Sequence, residues 1–77
     1  MSTPLVKKVQ QELKKVGLEF QQTNEFNGAF KGKVLENGKV VLKNLSIQKS
    51  LQWNSVVTFA NMVRKMVDDK RLLGMID

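Results

Sequence analysis

The sequence predicts a small α+β domain over residues 1–77, ordered as a helix, an antiparallel β-hairpin of two or three strands, and a second helix. Apolar residues near each end of the chain recur at the three- and four-residue spacing of an amphipathic helix. An Asn-Gly dipeptide near the middle lies between runs of valine and leucine, which is typical of a hairpin turn. A chain of 77 residues with 42% hydrophobic and 26% charged residues suits one modest core.

The first helix is predicted over residues 4–17. Thr3 can cap it, and Pro4 falls at the first helical position, where its fixed φ is tolerated. Gly17 is interpreted as the C-terminal cap. The apolar stripe consists of Leu5, Val6, Val9, Leu13 and Val16. The lysines on the opposite side are interpreted as a solvated face, and residues 18–25 as a short strand or an extended connection.

The predicted hairpin centres on Asn37 and Gly38. A two-residue loop would pair Glu36 with Lys39 and would put Lys43 on the apolar side. A three-residue loop from Glu36 to Gly38, with a bulge at Gly38, separates apolar from basic side chains better, so it is the predicted register. The core face would then hold Phe30, Gly32, Val34, Val40 and Leu42. The outer face would hold Lys31, Lys33, Lys39 and Lys43, together with Leu35 and Val41.

The second helix is predicted to begin near Asn54 or Ser55, with Gly74 as its C-terminal cap. Residues 44–53 either extend the second strand or form a third one. The buried stripe of this helix consists of Val56, Phe59, Ala60, Val63 and Val67. Large side chains expected to fill the core are Phe20, Phe26, Phe30, Trp53, Met62, Met66 and Met75. An apolar contact on Leu72 is expected from Met75 or Ile76.

Several classes of function are disfavoured by composition. The chain has no cysteine and no histidine, so disulfides, thiolate chemistry and the usual zinc ligands are missing. No phosphate-binding glycine motif and no nucleophile with a basic partner occurs. We therefore expect no catalysis, no cofactor and no metal site. No apolar run approaches the roughly 18 residues of a membrane span, and no signal-peptide pattern precedes the first lysines. An intracellular location, cytoplasmic or nuclear, is the expectation.

The charge is unevenly distributed. The net charge is +6, and residues 26–67 hold seven basic side chains against Glu36 alone. A basic patch of this kind indicates a phosphate-bearing partner, because lysines act as point charges for phosphate. The predicted function is a non-catalytic nucleic-acid-binding module. Its candidate contact residues are Lys31, Lys33, Lys39, Lys43, Lys49, Arg64 and Lys65.

Two other interpretations remain open. The first is a small protein–protein adaptor or inhibitor, in which a partner or a second copy of the chain contacts Leu35, Val41 and the methionine-bearing side of the second helix. The second is that the positive charge serves only solubility.

The order of these elements also resembles a known family. A leading helix is followed by a hairpin with "GKVLENGKVVL", by "SVVTFANMVRKM", and by a closing glycine with apolar neighbours. Over about residues 9–77 this resembles the RAMA domain, the restriction-adenine-methylase-associated domain. Asn54-Ser55-Val56-Val57 replaces the Ser-Pro-Ser-Ala-like helix start of that family, and Gly74-Met75 replaces its Gly-Trp. The resemblance implies a DNA-associated accessory module without catalysis, so DNA is favoured over RNA.

Overall fold

The computed structural model describes residues 3–76, so Met1, Ser2 and Asp77 of the predicted domain lie outside the described residues. The elements in chain order are α1 (Pro4–Lys15), β1 (Glu19–Phe26), β2 (Ala29–Glu36), β3 (Lys39–Gln48), a 3-10 turn (Trp53–Ser55) and α2 (Val56–Leu72). The three strands form one antiparallel sheet in the order β1-β2-β3. The predicted α+β class is confirmed.

Local signals set the ends of α1. The Thr3 hydroxyl accepts a hydrogen bond from the backbone N–H of Val6 at 3.3 Å, which is the predicted cap. Gly17 has a φ of +79°, and the N–H of Leu18 donates to the carbonyl of Leu13 at 2.9 Å. The helix therefore ends at Lys15, two residues before the predicted boundary, because the glycine lies beyond the last helical turn.

The second helix starts and ends close to its predicted bounds. The 3-10 turn leads directly into Val56, and Ser55 makes no side-chain capping bond. Gly74 has a φ of +75°, and the next N–H donates to the Lys70 carbonyl at 2.8 Å. The expected contact on Leu72 is absent because that side chain is exposed, and Ile76 packs on the core instead.

Two Asn-Gly hairpins connect the strands. Asn27 and Gly28 have φ values of +50° and +75°, and Asn37 and Gly38 have φ values of +52° and +81°. Positive φ at both central residues defines a type I′ turn, whose twist matches that of the flanking strands. The first hairpin was not predicted, although its Asn-Gly dipeptide carries the same signal as the second. Residues 18–25 thus belong mostly to a strand, and residues 44–48 extend β3.

The predicted register of the second hairpin is wrong. Glu36 pairs directly with Lys39 across a two-residue loop. Val41 is buried at 7% exposure, whereas Val40 is 45% exposed, the reverse of the prediction. This loop was disfavoured because strict alternation of side chains beyond it would place Lys43 on the core side. Two irregularities in β3, each adding one residue opposite β2, remove that conflict. The side chain of Lys43 is therefore exposed rather than on the core side.

Both helices cover one face of the sheet. α1 packs against α2 and β1. Leu18, just before β1, joins the helices in the core together with the strand residues Phe20, Phe30, Val34, Val41, Leu42, Leu45 and Ile47. Gly32 makes this packing feasible in the central strand. A Cβ at Gly32 would lie 2.2 Å from the carbonyl oxygen of Gln21 and 2.7 Å from the Phe20 ring.

Several large side chains predicted for the core are exposed instead. These are Phe26, Trp53, Met62, Met66 and Met75. Trp53 is 54% exposed, and the ammonium of Lys8 lies 5.6 Å from the centroid of its ring. Valines and leucines of the two helix stripes already fill the space under the sheet, so these bulkier groups remain at its margins. The exposed large hydrophobic groups also include Leu72 and Leu73 at the end of α2.

Candidate nucleic-acid interface

The uncovered face of the sheet carries lysines on its central strand. Lys31 and Lys33 alternate along β2 with the buried residues Phe30 and Val34, so their side chains project away from the helices. Lys33 lies opposite the irregular part of β3 that contains Lys43. We define Lys31, Lys33 and Lys43 as the lysine face.

Mostly uncharged polar side chains flank the lysine face; the exception is Glu19, which shares its side of β1 with Gln21 and accepts a hydrogen bond from it at 3.5 Å. Lys31 pairs with Asn24 on one side and Ser46 on the other, and Lys33 pairs with Gln21. All three of these neighbours are exposed. Amide and hydroxyl groups can donate to phosphate oxygens without adding negative charge. Within residues 3–76, no carboxylate lies within 4.0 Å of an ammonium of the lysine face.

Glu36 does not neutralise this surface, because it lies on the helix side of the sheet, where two arginines of α2 bind it. Arg64 donates to its Oε2 at 2.7 Å, and Arg71 donates to its Oε1. Arg64 also donates to an oxygen of Asp68 at 2.5 Å and to the Val16 carbonyl at 3.2 Å. These bonds connect the end of β2 to α2 and to the end of α1.

The protonation of this network follows from the same contacts. The hydrogen bond from Arg64, followed by that from Arg71, lowers the pKa of Glu36. Asp68 also has a lowered pKa because Arg64 donates to it, and the pKa of Arg64 is raised by Asp68 and Glu36. Two arginines and two carboxylates make the network neutral. The positive charge of the middle of the chain therefore rests on lysines.

The other predicted contact residues are dispersed. Lys39 pairs with Glu36 in the ladder and so lies at the side of the sheet that faces the helices. Lys49 binds Glu25 at 2.7 Å and lies 5.3 Å from the centroid of the Phe30 ring. Lys65 is exposed on α2, and Arg64 is held in the network described above. Of the seven predicted residues, the structure brings Lys31, Lys33 and Lys43 together.

The lysines of α1 are partly neutralised by a buried carboxylate. Glu12 is 6% exposed, and its Oε2 lies 2.8 Å from the ammonium of Lys15 and 3.7 Å from that of Lys8. The hydrogen bond from Lys15 is the main reason that the pKa of Glu12 is lowered. Two of the four lysines of α1 are therefore ion-paired, which makes this helix a weaker phosphate surface than the sheet.

The predicted adaptor surface is altered by the observed register. Leu35 and Val41 are both buried, so neither can serve as an exposed contact residue. Met66, Met75 and Val40 are exposed instead, beside the free edge of β3. An adaptor surface at this edge would use these side chains.

No family model, no curated protein and no solved structure matches the chain. The resemblance to the RAMA domain accordingly stays a prediction. Across residues 3–76 no helix is long and apolar enough to cross a membrane. The same residues contain no cluster of three or more acidic side chains arranged to hold a metal ion.

Proposed function

We propose that this protein is a non-catalytic nucleic-acid-binding module that contacts phosphates through the lysine face of its sheet. The observation that carries the proposal is the row of Lys31 and Lys33 on the uncovered side of the central strand, with Lys43 beside it. Neutral hydrogen-bonding groups flank these lysines, and Glu36 lies on the helix side of the sheet, where arginines bind it.

Contacts of this kind give affinity without reading the base sequence. Lysine ammonium groups bind phosphate as point charges, whereas paired recognition of base edges favours arginine. Both arginines of this chain are committed to the ion-pair network. Binding should therefore depend strongly on salt and little on sequence. DNA is the preferred nucleic acid on the strength of the RAMA resemblance.

Two triple variants of equal charge test the proposal. The first is Lys31→Gln/Lys33→Gln/Lys43→Gln, which removes the lysine face. The control is Lys7→Gln/Lys14→Gln/Lys65→Gln, which removes three exposed helix lysines that have no carboxylate within 4.0 Å among residues 3–76. Each variant lowers the net charge from +6 to +3.

Binding of a fluorescent oligonucleotide, duplex or single-stranded, is measured as a function of salt. For about three phosphate contacts, the log–log slope should be roughly −3 for a duplex and roughly −2 for a single strand. The lysine-face variant should lose this salt dependence and bind weakly to all sequences. The control should keep most of the affinity and most of its salt dependence. Equal losses in the two variants would show that only the overall charge matters. Absence of binding by the wild type at low salt would end the proposal.

A further inference from the structure

A second surface lies along the free edge of β3, between that edge and α2. β3 pairs with β2 along one edge, and within residues 3–76 no strand pairs with the other. A groove of about 810 Å³ runs between this edge and the last turns of α2. Its apolar lining includes Val40, Met66, Met75 and Ile76. Three of these side chains are among the exposed large hydrophobic groups of the domain.

Cations border this apolar lining. Lys39 and Lys70 lie along the groove, with Lys43 at the boundary to the lysine face. None of the three has a carboxylate within 4.0 Å among the described residues. Arg71 and Glu36, which also line the groove, neutralise each other. The groove thus combines an apolar stretch with positive charge along its margins.

We propose that this groove binds an acidic segment of a partner protein in extended conformation, with apolar side chains at alternate positions. Apolar side chains would cover the methionines, while carboxylates on the other side of the segment would reach the lysines. Methionine suits such a surface because its flexible side chain adapts to different apolar partners. The edge of β3 also presents backbone groups that no neighbouring strand uses, which favours a peptide over an acyl chain.

Charge argues against a second copy of the chain as the occupant. In a twofold dimer the same patch meets itself, so the lysines at the margins of both grooves would be brought together. The acidic partner is therefore preferred over self-association. This inference does not depend on the nucleic-acid proposal, because it rests on the free edge of β3, the apolar lining, Lys39 and Lys70, and only Lys43 borders both surfaces.

The probe is a displayed library of random twelve-residue peptides selected against the full chain. Peptides that alternate acidic and apolar residues should be enriched, and their binding should weaken with salt. A labelled enriched peptide is then measured by fluorescence anisotropy. Lys39→Gln/Lys70→Gln should weaken its binding about fivefold to tenfold, as expected when two exposed ion pairs are lost. Lys31→Gln/Lys33→Gln, with the same charge change, should leave it within about twofold.

A second pair of variants tests the apolar part. Met75→Gln should lower peptide affinity without changing the unfolding midpoint, because this side chain is exposed in the groove. Met62→Gln, at an exposed position of α2 outside the groove, should change neither. No enrichment, or enrichment of basic sequences or of apolar residues at three- and four-residue spacing, would overturn the inference. So would self-association that Met75→Gln abolishes.

Discussion

Replacement of Glu36 by glutamine probes the network that joins the sheet to both helices. The variant keeps the shape of the side chain but removes the charge that Arg64 and Arg71 bind. Arg64 would retain Asp68, whereas Arg71 would keep only a distant contact with that residue, at 3.9 Å. The connection between the end of β2 and α2 would then depend on apolar packing and on weaker neutral hydrogen bonds.

Partial burial determines the size of the effect. The Glu36 side chain is 19% exposed and that of Arg64 is 24% exposed, so the pair lies between surface and interior. Exposed ion pairs contribute about 0 to 1 kcal/mol, and breaking a fully buried pair costs about 3 to 5 kcal/mol. We expect a loss of about 2 kcal/mol in the free energy of unfolding at pH 7. For an m-value of about 1 to 2 kcal/mol/M, the urea midpoint should fall by about 1 to 2 M.

The pH dependence identifies the charge as the cause. Glu36 has a lowered pKa in the folded protein, so its contribution is fully present above the ordinary carboxyl value of 4.5. As the pH falls below that value and through the lowered pKa, the wild type takes up the proton and loses this contribution. The stability difference between wild type and Glu36→Gln should therefore be constant near neutrality and shrink in acid.

Urea unfolding followed by tryptophan fluorescence, repeated from pH 7 down to pH 3, measures this difference. Glu19→Gln is the matched control, because Glu19 is exposed on β1 and takes part in no ion pair among the described residues. The control should change the midpoint little at any pH. A loss below about 0.5 kcal/mol for Glu36→Gln, or a loss that stays the same in acid, would refute the ion-pair reasoning.

Two glycine substitutions test the backbone. Gly32→Ala should destabilise the domain by about 3 kcal/mol, because the new methyl group would overlap the carbonyl oxygen of Gln21 in the adjacent strand; a urea midpoint within 0.5 M of wild type would contradict this. Gly38→Ala should cost about 1 kcal/mol, since φ is +81° at an open position where only conformational strain acts. If thermal unfolding ranked Gly38→Ala as the more damaging of the two, the packing argument at Gly32 would be wrong.

The sequence by itself determined the elements whose signals are local. The stripes of both helices, the Thr3 cap and the left-handed Gly17 and Gly74 follow from spacing and residue type, because helix periodicity and capping involve neighbours within four residues. The Asn27-Gly28 turn belongs to the same class, since its dipeptide is readable without the structure. This turn was not predicted because the strand before it is polar, with Phe20 and Phe26 as its large apolar side chains.

Only the tertiary structure decided the register of β3. Strict alternation of side chains around Asn37-Gly38 favoured the wrong loop. The reason is that such alternation cannot accommodate the two extra residues that β3 inserts opposite β2. Bulges depend on how the strand twists against its neighbour and the helices above it, which local residue types do not encode. The two-residue loop puts Lys39 on the helix side of the sheet, and the insertions keep Lys43 beside Lys33.

The candidate site was likewise only partly contained in the sequence. The excess of lysine between residues 26 and 67 was readable, but its division between two surfaces was not. The reason is that Glu36 and Arg64 lie 28 positions apart and meet only when α2 packs over the sheet. Long-range ion pairs and burial decide which charges remain available to a partner, and both are properties of the assembled core rather than of any local stretch of chain.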